Sequence, residues 1–378
     1  MSVTLAHLSD LHLPFGLSPG LRDLAGKRLL SFFSWTLRRR HVLVWRSLSA
    51  VMKDIYAAHP DVLAIAGDMT NLGLPDELRR ARTWLAELGL PRMVIPGNHD
   101  AMVPMDWKTG PGQWAPEGGM ITPHDPLVCH LKDDVTLIGL NSAVPTPPFC
   151  AWGRIGASQA SALEAMLKQL GEEGRCRVVM IHHPPHPDLV VNRKALRDWR
   201  LCAEVLQSGG AELVLHGHSH RGTISWVPGT TIPLIGVTAA SHRPGRVKTA
   251  AGWNRITISR DTGTTGPEWQ IGIHPRRLGT DGHLHDLEPF VFRRPASGPG
   301  IPCAESGKEI SPDIARDPAG ESAGDLPAGE HGRDETGRKA AKKTSGSRKM
   351  AEPATRKARR PSQTGRSRTG GERKTTSE

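Results

Sequence analysis

The chain has 378 residues, 37% of them apolar, with 49 Lys and Arg against 38 Asp and Glu and a formal charge of +11. Five cysteines without a CxxC pair exclude a disulfide scaffold or a cysteine zinc module and suggest free thiols in a reducing compartment. The net charge does not by itself mark a nucleic-acid protein, because residues 338–378 alone hold 14 basic and 3 acidic residues, an excess as large as that of the whole chain.

In chain order, Val3–Leu8 reads as a strand, with no basic stretch and apolar core before it that would suggest an export signal. An extra segment comes next, residues 17–41, with six basic residues and one acidic. As a helix it places Leu29 or Leu30, Phe33 and Leu37 on one face, with Phe32 and Trp35 alongside and Arg38 to Arg40 behind. Two readings fit: an interfacial helix meeting a membrane through residues 27–40, or a helix packed on the body with a solvated basic end. Then come a helix with Leu48, Val51, Met52 and Ile55 on one face, ended by His59-Pro60, and a strand over 62–66. A helix with Leu78, Ala81, Leu85 and Leu88 precedes strands over 92–95 and 135–140. A helix carrying Leu163, Met166, Leu167 and Leu170 ends before Gly171 and leads to strands over 178–181 and 213–215. A β-rich stretch through 230–238, 255–259 and 269–274 completes a layered α/β domain over 1–294.

All ten Trp, the one Tyr and all six Phe lie at or before Phe292. The remainder of the chain is expected to be disordered: an acidic linker, 295–337, and a basic tail, 338–378, whose partner would be a non-specific anionic surface such as nucleic acid or lipid. No stretch approaches 18 consecutive apolar residues, so the expected location is the cytoplasm, peripheral at the inner membrane if the insert meets lipid.

The strand ends carry the chemistry. After the first three strands stand Asp10-Leu11-His12, Gly67-Asp68 and Gly97-Asn98-His99-Asp100; later ones end in His182-His183-Pro184-Pro185 and His216-Gly217-His218-Ser219-His220. Ligands in open α/β sheets bind beyond the carboxyl ends of strands, so five distant segments can converge on one rim. Imidazole and carboxylate suit Mn, Fe or Zn, and a pair of such cations needs an anionic bridge, for which Asp68 is the candidate. Glycine beside Asp68, Asn98 and His218 lets the backbone turn sharply. His183 and His216 read better as supporting or structural histidines than as ligands.

The ordered set of D-x-H, G-D, G-N-H-D, H and G-H-x-H resembles that of the calcineurin-like metallophosphoesterases. The spacing within HLSDLHL, AGDMTNLG and PGNHD is most similar to the bacterial branch that includes class III cyclic-nucleotide phosphodiesterases and glycerophosphodiesterases. The resemblance implies a four-layer α/β/β/α sandwich and a dinuclear, metal-dependent phosphoesterase. It implies that Asp10, His12 and His220 hold one metal and Asn98, His182 and His218 the other, with Asp68 between. A hydroxide held by the two cations would attack a phosphoester, here expected to be a phosphodiester, and His99 would serve the leaving group, with Asp100 orienting its imidazole or capping the loop. Two alternatives stand beside this: a pyrophosphohydrolase of UDP-2,3-diacylglucosamine type at the membrane surface, and a non-catalytic scaffold.

Overall fold

The computed structural model describes residues 2–15, 24, 26–261 and 266–296. The expected tail, 338–378, the expected linker apart from its first two residues, and part of the insert lie outside the described residues. One sheet is built from β1 (Ser2–Leu8), β2 (Val62–Ile65), β3 (Arg92–Val94) and the later β10 (Gly252–Asp261), β11 (Glu268–Leu278), β12 (Leu284–Asp286) and β13 (Phe290–Pro295). Its order is β12-β11-β10-β1-β2-β3, with β13 also on β11. The second sheet runs β4-β5-β6-β7-β9-β8, from β4 (Leu127–His130), β5 (Val135–Leu140), β6 (Cys176–Ile181), β7 (Leu213–His216), β8 (Thr223–Trp226) and β9 (Pro233–Gly236). β1, β2 and β3 are parallel, as are β5, β6, β7 and β9.

The period of two along these strands sorts their side chains into separate cores. Val62 and Ala64 of β2, Val135 and Leu137 of β5 and Val178 and Met180 of β6 meet between the sheets. Leu63 and Ile65 turn the other way, onto Leu48, Val51 and Ile55 of α2 (Trp45–Ala58) and Leu78, Ala81 and Leu85 of α3 (Pro75–Ala86). Ile138, Leu140, Val179 and Ile181 pack on Leu163 and Leu167 of α4 (Gly156–Glu172) and on Cys202 and Leu206 of α5 (Trp199–Gly209). Three cores make four layers, α/β/β/α. Burial on both faces is why these strands read as unbroken apolar runs rather than as alternation.

The differences from the sequence reading have physical reasons. α5, absent from the sequence reading, buries Cys202, Ala203, Val205, Leu206 and Gly209. The edge strands β4 and β8 are only partly buried and carry weak apolar signals. α4 runs through Gly171 instead of stopping before it, and a Cβ there would lie 2.4 Å from Arg177 Nη1, so Gly171 makes room for a buried guanidinium. That guanidinium pairs with buried Glu212 at 2.6 Å and donates to the carbonyls of Leu167 (3.0 Å) and Gly209 (2.9 Å), tying α4 and α5 to β6. Arg177→Ala leaves the buried Glu212 carboxylate with the residue 177 backbone N–H but no countercharge, and takes the guanidinium from two carbonyls. It is expected to cost about 3–5 kcal/mol, read as a lower denaturant midpoint at unchanged slope.

The insert forms a helix, α1 (Lys27–Leu37), none of whose residues is fully buried. Phe32 packs against Leu24, Leu72, Leu74 and Met102, and Trp35 stands edge-on to Phe15 at 4.5 Å. Phe33 and Leu37 are 54% and 79% exposed, so the helix leaves a thin apolar ridge in solvent. Among the described residues no helix is long and apolar enough to cross a membrane.

Candidate metal centre

Each motif leaves the carboxyl end of a parallel strand, and the loops stay laced beyond the strands. Asp10 N donates to Gly67 O at 2.9 Å, His12 N to Asp68 O at 3.0 Å and Gly217 N to His182 O at 3.2 Å. Asp10, His12, Asp68, Asn98 and His99 come from the first sheet, and His182, His218 and His220 from the second. The two halves meet where His218 N donates to Asp10 Oδ2 at 3.1 Å and His182 Nδ1 donates to Ala66 O at 2.6 Å.

Two groups of donor atoms result. Asp10, His12, Asp68 and His220 bring one ligand atom each within 4.8 Å of one another, and His182, His183 and His218 do the same. Asp68 stands between them, with Oδ2 3.5 Å from His182 Nε2 and 4.0 Å from His12 Nε2. Asn98 Oδ1 adds a donor 3.3 Å from His182 Nε2. Asp10 Oδ1 is buried without an aligned hydrogen bond, although His220 Nε2 is 3.0 Å away. A buried carboxylate oxygen with no donor is costly unless a cation meets it, so the residues present fit a metal pair.

Backbone carbonyls fix which ring nitrogen is free. A carbonyl only accepts, so the nitrogen facing it carries the proton and the other keeps its lone pair. His12 Nδ1 donates to Thr70 O (2.9 Å), His182 Nδ1 to Ala66 O, and His218 Nε2 to Lys194 O (2.9 Å). This leaves His12 Nε2, His182 Nε2 and His218 Nδ1 for cations. His99 Nδ1 donates to Asn71 O at 2.6 Å and leaves Nε2 open. The free nitrogens of the other two histidines are engaged: His183 Nδ1 meets Ser142 Oγ (2.8 Å) and its Nε2 meets Ala151 O, while His216 binds Gly217 O and Thr223 Oγ1.

Residues 3–222 match the family described as calcineurin-like phosphoesterase. The chain belongs to this family. A probable cyclic nucleotide phosphodiesterase of Synechococcus sp. is 27% identical over 72% of this chain and 92% of its own length. Glycerophosphodiester phosphodiesterase GpdQ of Enterobacter lignolyticus is 28% identical over 47% of this chain and 63% of its own. A dimetal phosphatase from Danio rerio shares the fold at 11% identity, with a TM-score of 0.53, over 76% of this chain and 98% of that one. The protein is thus a dinuclear metal-dependent hydrolase of the bacterial metallophosphoesterase branch.

In this calcineurin-like phosphoesterase the backbone at the site is strained. Asp10, His12, Asp68, His218 and His220 all have φ between 44° and 65°, the left-handed region that costs a non-glycine residue of order 1 kcal/mol. Electrostatics favour metal binding at His12 and His218 and oppose it at His182, where a cation must displace a proton. Burial lowers His12 to about 3, helped by Arg39, and burial with neighbouring His183 and His182 holds His218 well below the ordinary value, so both stay neutral. Burial also opposes charge on His182, but Asp68 and Asp10 outweigh it and raise it to about 9. Burial would raise Asp10, yet His220 and His182 bring it down to about 2.

Two expectations change in detail. Only Gly67 (φ 93°) turns sharply; Gly97 and Gly217 serve close approach, since a Cβ on them would lie 2.2 Å from Asp68 Oδ1 and 1.9 Å from Ser9 Oγ. Asp100 accepts from Met69 N (3.2 Å), Gly97 N (2.8 Å), Thr70 N (2.9 Å) and Thr70 Oγ1 (2.9 Å), and none of its described hydrogen bonds goes to the His99 imidazole. It clasps the Asp68 loop to the Asn98 loop. The sequence reading passed over the carbonyls of Thr70 and Asn71, which no residue type reveals. Nor does the basic run 38–40 single out Arg39, whose guanidinium lies 3.5 Å from His12 Nε2 and 3.4 Å from His99 Nδ1.

Proposed function

We propose that this protein is a phosphodiesterase in which Asp10, His12 and His220 hold one divalent cation, Asn98, His182 and His218 hold a second, and Asp68 joins the two. The observation that carries this reading is the position of Asp68 between the two donor groups, each with lone pairs aimed inward. The oxygen and nitrogen donors suit Mn, Fe or Zn. When bound, such a pair supplies Lewis acidity toward phosphoryl oxygens and lowers the pKa of water at the site. The preference for a diester rests on the relatives, a probable cyclic nucleotide phosphodiesterase and a glycerophosphodiester phosphodiesterase.

His99 is proposed to serve the leaving oxygen. Its ring is fixed through Asn71 O, its backbone N–H donates to Asp68 Oδ1 at 2.7 Å, and Nε2 is unengaged by any described hydrogen bond. Burial and Arg39 keep the imidazole neutral, so a proton on Nε2 is favoured only once an anionic ester is bound beside it. The leaving group then decides how much His99 matters. His99→Ala is expected to lower kcat about 10²–10⁴-fold for an alkyl diester and far less for a p-nitrophenyl diester, with unchanged metal content by elemental analysis. Equal losses on both would remove His99 from proton transfer.

A second reading is favoured by the exposed ridge of Leu29, Leu30, Phe33 and Leu37 on α1: a lipid-bearing phosphate ester or pyrophosphate, as in the UDP-2,3-diacylglucosamine alternative. Assay of cyclic nucleotides, glycerophosphodiesters and acylated nucleotide sugars with defined metals separates the readings. Hydrolysis confined to acylated substrates favours the second, and a metal-loaded protein inert to the whole panel would sink both.

A further inference from the structure

The 17–41 insert does more than add charge to the surface. Phe32 and Trp35 seat α1 on the body, and Arg28 at its first turn donates to Leu72 O (3.1 Å) and to Gly73 O, in the loop that also supplies Asn71 O to His99. The same loop is fixed beneath by Glu77, which accepts from the backbone of Asn71, Leu72 and Leu74. At the other end of α1 the chain makes a short helical turn over Arg39–His41, closed by the N–H groups of Val42 and Leu43 on Arg39 O, and Val44 N then donates to Ser241 O. Arg38 and Arg40 are exposed, whereas Arg39 is half-buried and extends to the centre.

Its partners there are inadequate for a guanidinium. His99 Nδ1 already donates its proton to Asn71 O, so it offers no lone pair, and His12 Nε2 at 3.5 Å is the lone pair a cation would take. No ion pair is formed by Arg39 among the described residues. A planar fork of five donors, held by a built turn beside the proposed metal ligands and in ion-pair contact with no carboxylate among the described residues, has donors to spare for a bound anion. We propose that Arg39 is a substrate-binding residue whose fork takes a non-bridging oxygen of the scissile phosphoryl group, and that the insert exists to deliver it. This rests on the reading of the site as a phosphoester hydrolase. Arg39 transfers no proton in this role; it holds the phosphoryl group and neutralises charge that grows on its oxygens.

The test uses the full-length metal-loaded protein, wild type beside Arg39→Ala and Arg39→Lys. Three quantities are read: metal content per chain, the inhibition constant of inorganic phosphate, and kcat and KM on bis(p-nitrophenyl) phosphate. Phosphate binding is also followed by calorimetry, which needs no turnover. Arg39→Ala is expected to keep the wild-type metal content while phosphate binding weakens roughly ten- to a hundredfold and kcat/KM falls at least as much. Arg39→Lys, which restores a point charge without the fork, should recover part of the phosphate affinity. Unchanged phosphate affinity in Arg39→Ala, or loss of metal from it, would overturn the proposal. A wild type that binds phosphate but cleaves no diester would count against the phosphodiesterase reading and leave the Arg39 comparison intact.

Discussion

Asp68→Asn is expected to give a folded protein that loses most of its metal and about 10³-fold in kcat/KM on a diester. The side chain is buried, and burial alone would favour the protonated acid; neighbouring His182 nevertheless holds it well below the usual carboxylate range. The asparagine fills the same volume and can still accept from His99 N. What it removes is the negative charge between the two donor groups. With that charge gone, the lone pairs of His12 and His182 remain but nothing offsets the repulsion between two cations brought close together. Elemental analysis together with the diester assay reads both effects, and circular dichroism checks that the fold persists. A variant that kept both cations and wild-type activity would take Asp68 out of the bridging position.

Gly97→Ala is expected to be nearly as damaging, although it changes no functional group. A Cβ at this position would lie 2.2 Å from Asp68 Oδ1 and 2.5 Å from the Asp68 backbone nitrogen. The carboxylate could swing away only by abandoning His99 N, and the backbone nitrogen cannot yield, because the Asp68 loop is pinned to the segment after β1 by His12 N→Asp68 O. The loop carrying Asn98 and His99 must therefore move outward, at a cost of about 1–3 kcal/mol in stability. Since a displacement near 1 Å is enough to lose about 10²-fold in rate, activity should fall by at least that much. Gly89→Ala makes the comparison: nothing lies within 4 Å of its Cβ, and its φ of 63° costs about 1 kcal/mol of backbone strain without touching the site. Thermal melts and diester assays of the two variants should thus show similar modest destabilisation but very different activity.

Much of the site was legible because its chemistry is local in sequence. Asp10 and His12, Asn98 and His99, and His218 and His220 are pairs whose residue types identify them, each just past an apolar run of strand length. The runs themselves were clear because burial on both faces demands uninterrupted Val, Leu and Ile. Asp100 was legible as a member of the G-N-H-D motif, but the destination of its carboxylate was not, because most of the donors it meets are backbone amides, two of them from the Asp68 loop. Arg39 was visible as part of a basic run and indistinguishable from Arg38 and Arg40 by any local rule.

The sequence by itself determined the layered α/β order, the donor types, and the placement of those donors at strand ends, since apolar periodicity and residue chemistry are properties of short windows. The tertiary structure decided which imidazole nitrogen faces a backbone carbonyl, where the Asp100 carboxylate finds its donors, and that one arginine of three enters the centre. Each of those depends on a contact between segments far apart in the chain, such as His182 Nδ1 with Ala66 O, which exists only once two sheets have packed face to face.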